Sequence, residues 1–201
     1  MKRLAGSTLI AAAVLAASTL VAADTKMVGG AAMYPSKDII DNAVNSKDHT
    51  TLVAAVKAAG LVDTLKGKGP FTVFAPTNEA FAKLPEGTVD TLLKPENKGT
   101  LTKVLTYHVV PGRLDARALG KKIRDGNGSA MLTTASGGML TAMMQGDKIV
   151  IKDDKGDLST VTIADVYQSN GVIQVVDTVL LPNEDVSPRE RGGRRPASLF
   201  R

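Results

Sequence analysis

The sequence predicts a single α+β domain, with helices in its first half and short strands in its second. Apolar residues recur at helical spacing between residues 36 and 105, and five short β-prone runs separated by Gly- and Asp-rich turns follow between residues 131 and 181. Helices and strands segregated along a chain in this way are typical of α+β folds. The chain has 201 residues, 43% of them hydrophobic, which is enough for one domain with a substantial core but not for two.

The first 23 residues have the pattern of a secretory signal peptide. Lys2 and Arg3 form a positive start, residues 9–21 are apolar except for the Ser-Thr pair at 18–19, and the small residues 22–23 precede Asp24. The apolar segment is shorter than the roughly 20 residues that span a bilayer, so we expect cleavage before Asp24 rather than an uncleaved anchor. The mature chain is expected to contain no transmembrane segment and to be exported, to the periplasm or the extracellular space.

The net charge of +5 is concentrated at the two ends of the chain. Lys2 and Arg3 leave with the signal peptide, and residues 187–201 contain five Arg and one Glu, so residues 24–186 carry a net charge of −1. This near-neutral body argues against specific nucleic-acid binding. The Arg-rich tail, residues 184–201, has little apolar surface to bury and is expected to be disordered. Either it binds anionic polymers or it is an extension without a function.

Residues 24–35 are rich in Gly and Ala and have no sustained apolar period, which predicts a linker before a domain that starts at Ser36. Ser36 is the predicted N-cap of a short helix that carries Ile39 and Ile40 on one face. A second helix is predicted over Leu52–Ala59 and ends at Gly60, where a left-handed residue suits a helix C-terminus. The apolar face then continues through residues 61–65.

A strand and a capped helix are predicted after the turn at residues 67–70. Residues 71–75 (FTVFA) are rich in β-branched and aromatic side chains and end at Pro76. Thr77 and Asn78 are placed to cap the next helix, which carries Phe81, although polar contacts at a surface are an alternative role for them. A further helix over residues 101–105 leads into a strand-like segment, residues 107–110.

The second half predicts strands near Met131–Thr134, Met139–Met143, Ile149–Lys152, Thr160–Ile163 and Val172–Leu181. The acidic segment 153–157 (DDKGD) has the look of a calcium loop. However, Lys155 stands where a ligand oxygen is needed and no Glu closes the loop, so a β-turn is predicted there.

Three blocks of this sequence resemble the conserved blocks of the fasciclin-like domain: GPFTVFAPTNEAF from Gly69, YHVVPG from Tyr107 and NGVIQVVDTVLLP from Asn170. The resemblance covers residues 36–183 and is to the small single-domain fasciclin proteins that bacteria secrete. It implies a compact, twisted β-sandwich of about seven strands with helices packed round it, and a role in adhesion at cell surfaces or in the extracellular matrix. Gln174 departs from the histidine that is usual in the last block; it keeps hydrogen-bonding capacity but cannot titrate near neutral pH.

The resemblance also implies roles for individual residues. Tyr107 and His108 match a Tyr-His pair linked to cell adhesion, which makes them the candidate partner-binding residues. The alternative is that both pack inside and form local hydrogen bonds, and their position between an apolar helix face and the next two valines favours it. Structural roles are implied for the other motif residues: Phe71, Phe74, Pro76, Thr77, Asn78, Phe81, Asn170, Gly171 and Asp177.

No catalytic, metal or cofactor site is predicted. The chain has no cysteine and only two histidines, and it lacks a G-x-S-x-G nucleophile motif and a phosphate-binding glycine loop. We therefore expect an interaction module, without enzymatic activity, that binds an extracellular or cell-surface protein or polysaccharide. The alternative is a carrier of a small apolar ligand such as a pigment or lipid, suggested by the adaptable side chains of Met131, Met139, Met143 and Met144.

Overall fold

The computed structural model of the chain describes residues 25–183, and the predicted signal peptide (1–23) and Arg-rich tail (184–201) lie outside them. The strands in this part of the chain are β1 (Lys26–Val28), β2 (Ala31–Met33), β3 (Phe71–Pro76), β4 (Val109–Pro111), β5 (Ser129–Thr133), β6 (Met139–Gln145), β7 (Lys148–Lys152), β8 (Leu158–Gln168) and β9 (Gly171–Val176). The α-helices are α1 (Ile39–Ala43), α2 (Thr50–Ala59), α3 (Val62–Lys66), α4 (Asn78–Ala82), α5 (Thr88–Leu93), α6 (Lys98–Tyr107) and α7 (Ala116–Asp125). Short 3-10 helices occupy Lys47–His49 and Pro95–Asn97.

Seven strands form one sheet in the order β4-β3-β9-β8-β7-β6-β5. All neighbours in this sheet are antiparallel except β3 and β9, which pair in parallel. The sheet curls until its two edges approach, and the Ala135 N–H beyond β5 donates to the Val109 carbonyl of β4 at 2.7 Å. The predicted α+β class, with about seven strands and packed helices, is confirmed.

The core lies on both faces of the central strands β3 and β9. On one face Val73, Ala75, Ile173 and Val175 pack against helices α1 to α6. On the other face Phe74 and Val176 pack against the inner side of the curled sheet and the apolar side of α7. A strand buried on both faces needs an almost continuous apolar run, which explains the sequence GVIQVV of β9.

Two of the predicted helix ends are present in the structure and a third is not. The Thr77 side chain accepts a hydrogen bond from the Ala80 N–H and caps α4, and Gly60 ends α2 with a φ of 73°. The N-cap of α1 is Asp38, whose carboxylate accepts from the Asp41 N–H at 2.7 Å, so the prediction of Ser36 is wrong. The helix starts later than predicted because Asp38 directly precedes the two buried isoleucines.

Residues 25–33 form a hairpin and not the linker that the composition predicts. The strands β1 and β2 pair from Lys26 with Met33 to Val28 with Ala31. The Gly29 carbonyl accepts from the Lys47 N–H at 3.1 Å, and the Lys26 ammonium donates to the Ala164 carbonyl at 2.6 Å. Val28 and Met33 are buried in the helical core, so the folded domain begins at least ten residues before Ser36.

We expect Met33→Ala to lower the free energy of unfolding by about 2–5 kcal/mol, because Met33 is only 2% exposed and its removal leaves a cavity. Met27→Ala is the matched control, since Met27 lies in the same hairpin but is 60% exposed, and its effect should stay within about 0.5 kcal/mol. Urea denaturation of both variants measures the difference. Equal effects would show that the hairpin does not pack on the domain.

Candidate functional site

Tyr107 lies at the end of α6 with its side chain fully buried. Its hydroxyl donates to the Met139 carbonyl at 2.7 Å and accepts from the Asp154 N–H at 2.9 Å. A Cβ at Gly138 would lie 2.6 Å from the tyrosine Cε2, so the ring requires glycine at that position. Burial raises the pKa of Tyr107 above its ordinary value. The hydroxyl therefore joins the start of β6 to the turn between β7 and β8.

His108 is 2% exposed and makes a hydrogen bond with each ring nitrogen. Nδ1 lies 2.8 Å from the Val104 carbonyl, which can only accept, and Nε2 lies 2.9 Å from the Leu180 N–H, which can only donate. The two partners together require the neutral ring with its proton on Nδ1. Burial lowers the pKa of His108 to about 4, against the opposing effect of the Val104 carbonyl.

The predicted partner contact of Tyr107 and His108 is not compatible with these positions. Neither side chain reaches the surface, and the hydrogen-bonding atoms of both have partners inside the domain. The alternative, that both side chains pack inside and bond locally, describes the structure. The sequence favours this alternative through the apolar residues on either side of the pair, although a Tyr with a polar tip also suits an interface.

Asp153 belongs to the same buried region. One carboxylate oxygen accepts from the Lys155 and Asp157 N–H groups at 3.0 and 2.9 Å, and the other accepts from the Leu181 N–H at 2.9 Å. Both oxygens are thus used by backbone donors, and the predicted β-turn is confirmed.

Within residues 25–183 no group of three or more potential metal-ligating side chains is placed to hold an ion, and no helix there has the length and apolar character to span a membrane.

The remaining residues of the first motif lie in the core or at helix starts. Phe74 and Phe81 are buried, Phe71 is partly buried, and Pro76 ends β3. The Asn78 side chain donates to the Lys47 carbonyl at 2.8 Å and accepts from the Thr51 N–H at 3.1 Å. Asn78 therefore ties α4 to the start of α2, and Thr77 caps α4.

The last motif surrounds Asn170, in the turn between β8 and β9. Its side-chain oxygen accepts from the Ile39 N–H at 3.1 Å, and its amide nitrogen donates to the carbonyls of Leu65 and Gly67. A Cβ at Gly171 would overlap the Phe71 carbonyl oxygen. Asp177 accepts from the Thr160 N–H at 2.8 Å. These motif residues fix strand ends to neighbouring elements.

Gln174 stands fully buried in β9 and uses both ends of its amide. Its oxygen accepts from the Asp165 N–H at 3.0 Å, and its nitrogen donates to the Leu114 carbonyl and the Asp165 carboxylate, both at 3.1 Å. Asp165 lies in a bulge of β8 with a φ of 58°. The glutamine therefore satisfies the polar groups that the bulge leaves unpaired.

The apolar cavity between the helices and the sheet encloses about 40 Å³. Binding sites for small organic ligands usually measure about 300–1,000 Å³. Met131 and Met144 are exposed, and Met139 and Met143 are half-exposed on β6, so none of the four methionines lines this cavity.

The hydroxyl of Ser46 lies 2.9 Å from Nδ1 of His49 at the cavity wall, but both side chains are buried away from any substrate. Burial lowers the pKa of His49, although the Ala75 carbonyl opposes the effect.

We expect Tyr107→Phe to lower the free energy of unfolding by about 1–3 kcal/mol, because it leaves the Asp154 N–H and the Met139 carbonyl without their partner. Tyr167→Phe is the control. Its hydroxyl makes one 3.3 Å contact with the Asp115 carboxylate, and its loss should cost below about 1 kcal/mol. Urea denaturation compares the two, and a Tyr107→Phe variant as stable as the parent chain would contradict the buried bridge.

His108 should make the protein less stable in acid. The unfolded chain takes up the histidine proton near pH 6.5, whereas the folded chain excludes it until about pH 4, so stability rises with pH across this window and is constant above it. The expected contribution is about 3 kcal/mol. It is measured as the difference between the pH profiles of the parent chain and His108→Gln, in which the shared carboxylate titrations cancel. Parallel profiles would show that His108 titrates normally in the folded state.

Comparisons with known proteins agree with this geometry. The fasciclin domain model matches residues 47–182. The chain is 47% identical over 156 residues to protein sll1483 of Synechocystis sp., covering 78% of this chain and 79% of that protein. It is 34% identical over 160 residues to the cell surface glycolipoprotein MPB83 of Mycobacterium bovis, covering 77% and 64%. The solved structure of a FAS1 domain pair from the insect cell adhesion molecule fasciclin I superposes with a TM-score of 0.67 at 20% identity, covering 75% of this chain and 53% of that one. The chain belongs to the fasciclin domain family.

Proposed function

We propose that this chain is an exported, non-enzymatic adhesion module that binds a protein or polysaccharide at the cell surface or in the extracellular space. The observation that carries the proposal is its membership of the fasciclin domain family, in which MPB83 is named a cell surface glycolipoprotein and fasciclin I a cell adhesion molecule. The signal-peptide pattern of residues 1–23 supports export.

The buried motif residues support a binding role for the outer surface rather than for the motifs. The side chains of Tyr107, His108 and Asn170 form hydrogen bonds with backbone groups inside the domain. A reaction at the Ser46–His49 pair would need access that their burial denies, since a nucleophile has to touch its substrate. A partner is therefore recognised by exposed side chains outside these motifs.

Cells that express the full chain should carry it outside the cytoplasm with Asp24 as the first residue, as read by fractionation and N-terminal mass spectrometry. The purified exported protein should bind at least one member of a panel of matrix proteins, cell-surface proteins and polysaccharides in biolayer interferometry, with a dissociation constant in about the micromolar range or tighter.

Tyr107→Phe is the informative variant for this experiment. If it folds, it should bind the same partner as the parent chain, because its hydroxyl is internal. Retention in the cytoplasm with residues 1–23 intact, or negligible binding to the whole panel, would contradict the proposed function.

A further inference from the structure

Positive charge is concentrated in one short segment of the described chain. Residues 113–125 contain five Lys or Arg and two Asp, a net charge of +3. The other described residues, 25–112 and 126–183, together contain thirteen Lys or Arg and fourteen Asp or Glu, a net charge of −1. The segment consists of the loop after β4 and helix α7, so a near-neutral domain carries one locally basic surface.

The cations of α7 lie on one exposed side of the helix. Arg117, Lys121 and Arg124 follow each other at intervals of four and three residues, which places them on one face. Leu119 and Ile123, on the opposite side, are buried in the core. Within the described residues, Lys121 pairs with Asp125 at 2.6 Å, but both side chains are largely exposed, and such pairs are weak. The other two cations of this face form no ion pair there.

The carboxylates near the start of α7 already have partners. Asp115 caps the helix by accepting from the Ala118 N–H at 2.7 Å, and it also accepts from the Tyr167 hydroxyl. Asp165 accepts from the Ala116 N–H at 2.6 Å and from Gln174. The helix N-terminus is thus occupied by the protein's own carboxylates, and the free positive charge lies along the side of the helix.

An open groove of about 690 Å³ continues the basic surface from Arg113. It lies where the turn before β3, the loop after β4 and the β8–β9 turn meet, and its charged lining residues are Arg113, Lys66 and Lys68. The Arg113 guanidinium donates to the Gln168 carbonyl at 3.2 Å, which holds it at the groove. Lys66 is engaged by Asp41 at 2.6 Å, whereas Lys68 is exposed and forms no ion pair within residues 25–183. The Gly112 N–H donates to the Pro70 carbonyl and fixes two of the three loops together.

We propose that this basic surface, formed by the exposed face of α7, Arg113 and the adjoining groove, binds an acidic polysaccharide chain. The inference rests on the proposed function and names the class of ligand. A helix of ten residues is about 15 Å long, so its row of cations suits an extended polyanion better than a single small anion. Arg presents a planar fork of donors that matches carboxylate and sulfate groups, and two of the three cations of the row are Arg.

Two other anionic ligands, a membrane and single-stranded nucleic acid, fit this basic surface less well. A helix that lies in a membrane interface inserts an apolar face, but Leu119 and Ile123 are committed to the core. Single-stranded nucleic acid is held by aromatic side chains that stack on bases, and residues 113–125 contain none. Electrostatic contact with an acidic glycan requires neither insertion nor stacking.

The test uses the full exported protein and polygalacturonate as the probe, with neutral dextran as the reference polymer. The triple variant Arg117→Gln, Lys121→Gln, Arg124→Gln removes the row. The control Lys94→Gln, Lys98→Gln, Lys155→Gln removes three exposed charges elsewhere. We expect the dissociation constant for polygalacturonate to rise at least about tenfold in the row variant and less than about twofold in the control, and binding of the parent chain to weaken steeply with salt.

A third variant replaces the five arginines of residues 187–201 with Gln and should retain most of the binding. Equal losses in the row variant and its control, loss only in the tail variant, or tighter binding to anionic phospholipid vesicles than to polygalacturonate would each overturn the proposal. If the parent chain does not bind polygalacturonate but binds a protein of the panel, this inference fails and the proposed function stands. If it binds nothing, both fail.

Discussion

The fold depends on how the parallel pair of β3 and β9 is held in register. No turn can join parallel neighbours, and almost a hundred residues separate these two strands along the chain, so their alignment has to be fixed by contacts at their ends. Asn170 supplies these contacts. Its carbonyl accepts from the Phe71 N–H at the start of β3, while its side chain bonds to the start of α1 and the end of α3. One turn residue thereby positions the central strands and two helices that cover them.

The curl of the sheet depends on a second set of buried polar groups. Tyr107, His108 and Asp153 bind backbone groups in the β7–β8 turn and in the segment after β9, so the end of α6 is joined to the far half of the sheet. Each group has partners, which matters because a buried polar group without one costs about 1–3 kcal/mol. The same argument explains Gln174, whose side-chain amide both donates and accepts hydrogen bonds at the bulge of β8. A neutral amide fills this place without any proton chemistry.

The sequence predicts the elements whose signals are local. The strand at residues 71–75 has β-branched and aromatic side chains, Thr77 precedes a helix as a cap, and the acidic turn at 153–157 lacks calcium ligands; the structure has all three. It does not predict the β1–β2 hairpin, because two strands of three residues show no period, and Val28 and Met33 matter only through helices that follow them. It also omits α7, whose two buried side chains are outnumbered by charges. The apolar residues on either side favour burial of Tyr107 and His108, but their contacts with Gly138 and Leu180 could not be predicted, because these lie more than thirty residues away in the chain.

The buried motif residues and helix α7 differ in what they leave available to a ligand. The motifs that identify the family are those in which side chains are fixed by partners from distant elements, and such side chains are unavailable to a ligand. Helix α7 is different, since Leu119 and Ile123 anchor it and Asp115 caps it, so its stability makes no demand on the exposed positions 117, 121 and 124. Like charges three and four residues apart repel one another, and only Lys121 has an ion-pair partner, the exposed Asp125, within the described residues. A cost of this kind on an otherwise near-neutral domain is most simply explained by an anionic partner that offsets it.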